Sequence, residues 1–410
     1  VLILCTWSVI HLNVPIESTP NGKRQEYTRE LFLFWTKFKW MFINLAAPEW
    51  VLGQAWSTHR SVALLKDRFE EYQRKDSVPW SRSYTYYANM GGFSIRTHPR
   101  IGTKDIQSNR RYQLETRPIQ YSSYENGNFI FENIRYLCGD LWVLHANQHL
   151  LARELGIIET LPSLSQASLD DRNKGNLFVM VLTLGQISWI VIQLIVRLAL
   201  NLSSSQLEII TLSFAICSII TYSLLLNKPK DVQASHTIKA AKRPSAEDMI
   251  LIANAGPTGF AFDRASIWVP NNVLSRDTHM SDGNFMIYLA SAPALTLFGG
   301  IHCIAWNFAF PTEVERLCWH ISTIITAGTA PLLWALSGTR GKVIELRVMS
   351  DTDRPLLLSI KSVLQGASRL IVLVFVFARL FITVEAFRSL AFLPPGAFLS
   401  TWSAGIPHVG

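Results

Sequence analysis

Cysteine is scarce in this chain, with only Cys5, Cys138, Cys217, Cys303 and Cys318, an odd number at wide spacings and mostly inside apolar runs. That pattern excludes a disulfide or zinc framework and leaves the thiols as small apolar side chains. The signatures of soluble catalysis are missing as well: there is no phosphate loop, no nucleophile elbow and no dinucleotide-binding glycine fingerprint. The segment HANQH at 145–149 lacks the glutamate of a zinc-protease motif and reads as two surface histidines. Asp170-Asp171 runs into Arg172, Asn173 and Lys174, which fails the acidic spacing that binds magnesium diphosphate and reads as the charged start of a helix. No internal repeat is visible, and no low-complexity tract exceeds Ser203–Ser205. No metal and no cofactor is therefore expected.

What is present is apolar sequence in clumps. Residues 177–200, 207–226, 284–306, 313–336 and 369–390 are each long enough to cross roughly 30 Å of hydrocarbon. The first twelve residues, VLILCTWSVIHL, read as the end of a span that began upstream. A further apolar segment, WTKFKWMFINLAAPEWVLGQAW, is interrupted by Pro48 and Glu49 and reads as a re-entrant element or a second span. The expected fold is an all-α, polytopic transmembrane helix bundle of about six or seven spans. A cytosolic, partly helical subdomain sits in the loop before the third apolar segment.

The net charge of +8 fits lysine and arginine held in cytoplasmic loops against anionic lipid better than it fits a nucleic-acid surface. Basic residues flank 177–226 on both outer sides, while the turn NLSSSQ between its two halves is uncharged. The positive-inside rule therefore places that turn outside and the large loops in the cytosol. The expected organisation is 1–56 for a first span and the re-entrant element, 57–176 for the cytosolic subdomain, and 177–226 for a transmembrane hairpin. Residues 227–283 follow as a cytosolic loop, 284–390 as a three-span bundle containing the Arg-rich loop 338–368, and 391–410 as a tail. The subdomain holds an aromatic cluster (Trp80, Tyr84, Tyr86, Tyr87) and the turn Gly91-Gly92. From Tyr136 to Ile157 its leucines recur at helical spacing, as in an amphipathic helix lying on the membrane or on the bundle. The integral membrane protein is expected in the endoplasmic reticulum or another endomembrane.

An ionisable side chain in hydrocarbon costs several kcal/mol unless it faces protein, water or a partner, so these residues are where function is sought. Glu49, beside Trp50 and near Trp56, is a candidate proton donor, and the tryptophans are candidate stabilisers of positive charge. Gln186, Trp189, Gln193 and Arg197 recur at spacings of three and four and share a helical face. Interhelical hydrogen bonding is the plainer reading of that stripe. Glu208 is the natural ion-pair partner of Arg197 across the short turn. His302 and His320 flank the turn NFAFPT on two antiparallel spans, within range of a proton relay. Arg379 and Glu385 lie on different faces of the last span and need different partners.

Four strings, KWMFINLAAPEWVLGQAW, YYANMGGF, LGQISWIVIQLIVRLALNLSSSQLEIITLSFAICSIITY followed by NKPKDV, and WNFAFPTEVERLCWHIS, run through most of the chain. They resemble a large family of fungal integral membrane proteins. The resemblance implies a fungal source and a polytopic fold, and it brings no catalytic residues. In that family the stretch before the third string often looks like DKSKAD, where this chain has DDRNKGN.

Two functional classes follow. One is a membrane enzyme carrying out acid-initiated cyclisation or isomerisation of a lipophilic, isoprenoid-like substrate, in the manner of terpene cyclases. Its catalytic set would be Glu49, Gln186, Gln193 and Arg197, and its substrate-binding set Trp50, Trp56, Trp189, His302, His320 and Arg379. The other is a non-enzymatic sensor, channel or carrier whose cytosolic region binds a protein partner. Membrane lipids are partners in both, and nucleic acid in neither.

Overall fold

A computed structural model describes residues 2–15, 23–96, 141–164, 166–232, 234–242, 244–259, 269–271, 273–274, 283–347 and 354–399. The chain is mostly helical. In order it forms α1 (Leu2–Ser8), α2 (Lys23–Ala46), α3 (Pro48–Leu64), α4 (Lys66–Asp76), α5 (Arg82–Asn89), β1 (Phe93–Arg96), β2 (Leu141–Leu144) and α6 (Ala146–Glu154). Then come α7 (Gln166–Ala199), α8 (Gln206–Leu225), β3 (His236–Lys239), α9 (Ala246–Asn254), β4 (Thr258–Gly259), β5 (Val273–Leu274), α10 (Gly283–His302), α11 (Glu313–Arg347) and α12 (Arg354–Arg388).

Local chemistry sets several helix starts. Ser205 and Glu208 close a reciprocal capping box on α8, with Ser205 Oγ accepting from Glu208 N at 3.2 Å and Glu208 Oε2 accepting from Ser205 N at 2.8 Å. Thr312 with Glu315, before α11, and Ser245 with Asp248, before α9, make the same exchange. Pro48 opens α3 instead of interrupting a longer helix, because a first-turn residue has no intrahelical N–H bond to lose. The expected single segment around 40–56 is thus two helices that meet at Ala47.

Three stretches among the described residues have the length and apolarity to cross a membrane: Met180–Arg197 in α7, Gln206–Leu225, which is α8, and Ser362–Phe392, beginning within α12. That is fewer than the six or seven spans expected. The outward sides of the long helices are apolar. On α12, Leu370, Leu373, Phe377, Leu380, Val384 and Phe387 stand exposed at intervals of three and four residues, a stripe that water alone would not favour. α11 runs to Arg347 and α12 starts at Arg354, so most of the expected loop 338–368 is helix.

The bundle's interior joins α3, α8, α10, α11 and α12 through Leu52, Phe214, Phe298, Trp319 and Ile382. α10 and α11 approach closely where Gly299 faces Ala327, since a Cβ built on Gly299 would lie 2.5 Å from the Ala327 nitrogen.

A second unit is built around a three-stranded sheet of order β2-β1-β3. β1 pairs antiparallel with β2 (Phe93 opposite Leu144) and parallel with β3 (Phe93 opposite His236). Trp80, Tyr84 and Tyr87 of the aromatic cluster lie in its core, where Trp80 stacks on Phe69 at 4.6 Å and lies 5.8 Å from Phe93, whereas Tyr86 packs against Ala55, Val62 and Leu225 of α3 and α8. Gly91 takes a left-handed φ of +80°, and a Cβ on Gly92 would run into the Tyr87 ring. Asp76 ties α4 to the following elements by accepting from Arg153 Nε at 2.9 Å and from Leu161 N at 2.8 Å. Those bonds hold its carboxyl below the usual carboxylate range.

Three expectations are corrected here. The amphipathic run 136–157 is, over its described part, strand β2 and helix α6, and its buried residues face the sheet unit. The histidines of HANQH are not on the surface: His145 and His149 are both buried, and burial pushes each imidazole down to about 3. The loop 227–283, read from sequence as separate, supplies β3 and α9 to the same unit.

Candidate functional site

Among the predicted site residues, the structure gathers Glu49, Arg379 and His302. Glu49 sits in the first turn of α3 and is 2% exposed, and Arg379 reaches it from the middle of α12 while only 7% exposed. Arg379 Nη2 is 3.8 Å from Glu49 Oε2, and its Nε donates to the Ala46 carbonyl, at the end of α2, at 3.3 Å. The guanidinium lies 3.7 Å from the centre of the Phe298 ring and 5.9 Å from that of Phe214. One arginine therefore engages both ends of the α2–α3 break: the terminal carbonyl of α2, where the helix dipole is negative, and the acid at the start of α3.

Neither carboxylate oxygen of Glu49 has a hydrogen bond. At 3.8 Å the contact is a charge pair without a hydrogen bond.

His302, at the end of α10, is fully buried next to this pair. Its Nδ1 is 2.7 Å from the Phe298 carbonyl and 3.4 Å from Ser213 Oγ, while its Nε2 has no hydrogen-bond partner. The Trp319 ring of α11 lies 6.1 Å away. The site is thus a carboxylate, a guanidinium and an imidazole walled by Phe214, Phe298 and Trp319 at the meeting of five helices. It has the elements to exchange a proton or to trade one counter-ion for another.

The other predicted residues lie elsewhere. α7 packs chiefly on α1 and α8. Its buried face is made by Thr183 and Ile187, leaving Gln186, Trp189 and Gln193 half-buried on its flanks. Arg197 donates to the carbonyls of Ser203 at 2.6 Å and Ala397 at 2.8 Å, while Glu208 is taken by its own capping box, so the expected Arg197–Glu208 pair does not form. Four-residue capping satisfies Glu208 locally, whereas loop carbonyls are nearer to the guanidinium. His320 stacks on Trp306 at 3.9 Å with Nε2 2.8 Å from the Trp306 carbonyl, so it and His302 have different partners. Trp50 is half-buried, and Trp56 is 48% exposed. Glu385 pairs with Arg388 at 3.7 Å, and Arg388 also pairs with Glu315 of α11. Arg379 and Glu385 do have different partners, as their helical offset requires.

Sequence reading marked Glu49 and Arg379 separately and missed that they pair, and it missed Phe214, Phe298 and Trp319. Its available signal was that Phe298 and His302 stand four apart on one helix face, with Trp319 on the next helix beyond the turn.

No curated protein and no solved structure matches the chain. One family does, described as a family of unknown function (DUF8562), over residues 150–270 and 284–409. These segments hold Arg379, His302, Phe214, Phe298 and Trp319, with Glu49 outside them. The match covers more than half of the sequence, and the chain belongs to this DUF8562 family.

Proposed function

We propose that this chain is a polytopic integral membrane protein of the non-enzymatic class, a carrier or sensor whose switch is the Glu49–Arg379 pair. The observation that carries the reading is the placement of two opposite charges, removed from water, at a break between consecutive helices. Discontinuous helices of this kind position ions and ligands in membrane carriers. A buried pair without hydrogen bonds on the carboxylate is a poor source of stability, and a bistable contact is its best-attested alternative use. Protonation of Glu49, or a competing anion at Arg379, would release α12 from the α2–α3 break.

Topology supports the membrane assignment. β1 precedes α7 and β3 follows α8, yet the two strands share a sheet, so the chain ends on the side where it began, as two crossings require. In this reading α7, α8, α10, α11 and α12 cross the bilayer and α2–α3 forms the broken element. The resemblance to fungal membrane proteins, an endomembrane location and a cytosolic sheet unit that binds a protein partner belong to the same proposal.

The test is a distance measurement between labels on α3 and α12 in lipid nanodiscs as pH is stepped. The wild type should switch between two distances, and Glu49→Gln should stay in one. Identical pH responses in the two proteins would sink the switch.

A second reading, the acid-initiated cyclase, is favoured by the rings of Phe214, Phe298 and Trp319, since aromatic faces attract a carbocation. Against it, Arg379 already occupies the face of Phe298, and Glu49 points at that cation. Purified protein given polyprenyl substrates decides this: absence of product, or full turnover by Glu49→Gln, removes Glu49 as the acid.

A further inference from the structure

A small cavity of mixed polar and apolar lining lies apart from the buried ion pair, where the bundle meets the sheet unit. Its volume is about 60 Å³, and its polar walls include His11, Asn13, Gln54, Asn89, His145 and Lys228. One water needs about 10 to 15 Å³ of such space, so there is room for a solute of about four non-hydrogen atoms.

Lys228 follows the end of α8 and is buried. Its Nζ donates to the His11 carbonyl at 2.9 Å and to Asn13 Oδ1 at 3.2 Å, and it forms no ion pair among the described residues. An ammonium has three N–H donors, so among the described residues one is left over. The surroundings are short of negative charge. Lys230 donates to the Ser8 carbonyl at 2.5 Å, and the nearby Asp231 is engaged by Lys37 at 3.1 Å. Lys37, Lys228 and Lys230 all act electrostatically on His11. Burial pushes the Lys228 ammonium down to about 8, which leaves it mostly charged at neutral pH.

Asn89 supplies the complementary group. Its Nδ2 donates to Ser61 Oγ at 3.4 Å, but its Oδ1 is buried and accepts nothing. A buried carbonyl oxygen without a donor costs free energy that an incoming O–H would recover. The cavity therefore offers a cationic donor and a neutral acceptor within a space of about four atoms.

We propose that this cavity binds a small, singly charged, hydrogen-bearing oxyanion of the bicarbonate class, whose charged oxygens take the free N–H of Lys228 and whose hydroxyl donates to Asn89 Oδ1. Nitrate has the same planar shape and charge without the hydroxyl, so it separates recognition of the O–H from recognition of the charge alone.

The experiment is thermal unfolding of the full chain in nanodiscs, titrated with sodium bicarbonate or sodium nitrate at constant ionic strength and pH 7.5. Bicarbonate should raise the unfolding temperature saturably and nitrate should do so more weakly. Lys228→Met should weaken the apparent bicarbonate affinity about tenfold or more, by loss of a charge-assisted hydrogen bond. Asn89→Asp, nearly isosteric, should abolish the response by placing a carboxylate against the anion. If Lys228→Met does not fold, Asn89→Asp decides alone. A flat wild-type titration, equal responses to bicarbonate and nitrate, or a bicarbonate response that the variants leave unshifted each overturns the proposal.

Discussion

Glu49 and Arg379 illustrate how far one residue can be read before its neighbours are known. Sequence position marks both as costly in hydrocarbon, and each needs a partner. That they satisfy each other depends on α12 returning to the α2–α3 break, a contact 330 residues apart in the chain that no local pattern encodes. The energetic consequence is asymmetric. Removing one charge strands the other in a dry interior, whereas removing both leaves similar volumes to pack. Arg379→Met should therefore lower stability by about 3 to 5 kcal/mol, and adding Glu49→Gln should recover most of that loss. Chemical unfolding of the two single variants and the double variant in mixed micelles measures the coupling. Additive losses would show that the two groups do not interact. The same limit on local reading applies to HANQH, whose polar composition gives no sign that its histidines are buried. The flanking Leu144, Leu150 and Leu151 were the better guide to burial.

Helices were the most legible elements, because an apolar run of membrane length has few alternatives to a helix. The ends of α8 and α10 fall within a few residues of the apolar runs, whereas α11 starts with its run and continues well beyond it, to Arg347. Strands β1 and β3 were not legible: four residues each, FSIR and HTIK, carry too short an alternation to separate from loop. Contact between helices was equally hidden. In the pair Gly299-Gly300 the sequence does not say which glycine matters, and the structure does. A Cβ on Gly299 meets the backbone of Ala327, which cannot rotate away, while one on Gly300 meets open space. Gly299→Ala should destabilise the α10–α11 contact by about 1 to 3 kcal/mol, as overpacking does. Gly300→Ala should be neutral or stabilising by up to about 1 kcal/mol through helix propensity. Comparing the unfolding temperatures of the two variants checks this, and equal effects would refute the close approach.

Across the whole molecule, the two histidines of α6 and its cap make the sheet unit sensitive to acid. Both are held near 3 in the folded chain, below the ordinary imidazole value of 6.5. As pH falls below about 6.5 the unfolded chain takes up protons that the folded unit refuses, so stability is lost progressively down to about pH 3. Each histidine contributes at most about 1.4 kcal/mol per pH unit within that window. Amide exchange in 141–154, once corrected for the slowing of its intrinsic chemistry as pH falls, should show an excess of opening at pH 5 over pH 7. Replacing both histidines with glutamine should remove the excess. No excess in the wild type would mean that the imidazoles are solvated.

The sheet also imposes an order on synthesis. β1 leaves the ribosome about 140 residues before β3, the strand that completes it, and the helical pair α7–α8 is made in between. Until residues 236–239 arrive, one side of β1 is an open edge able to pair with any passing strand. A polypeptide that stalls or is cut after α8 would thus carry a finished hairpin beside an unfinished sheet. Quality control can read that exposed edge as the mark of an incomplete chain.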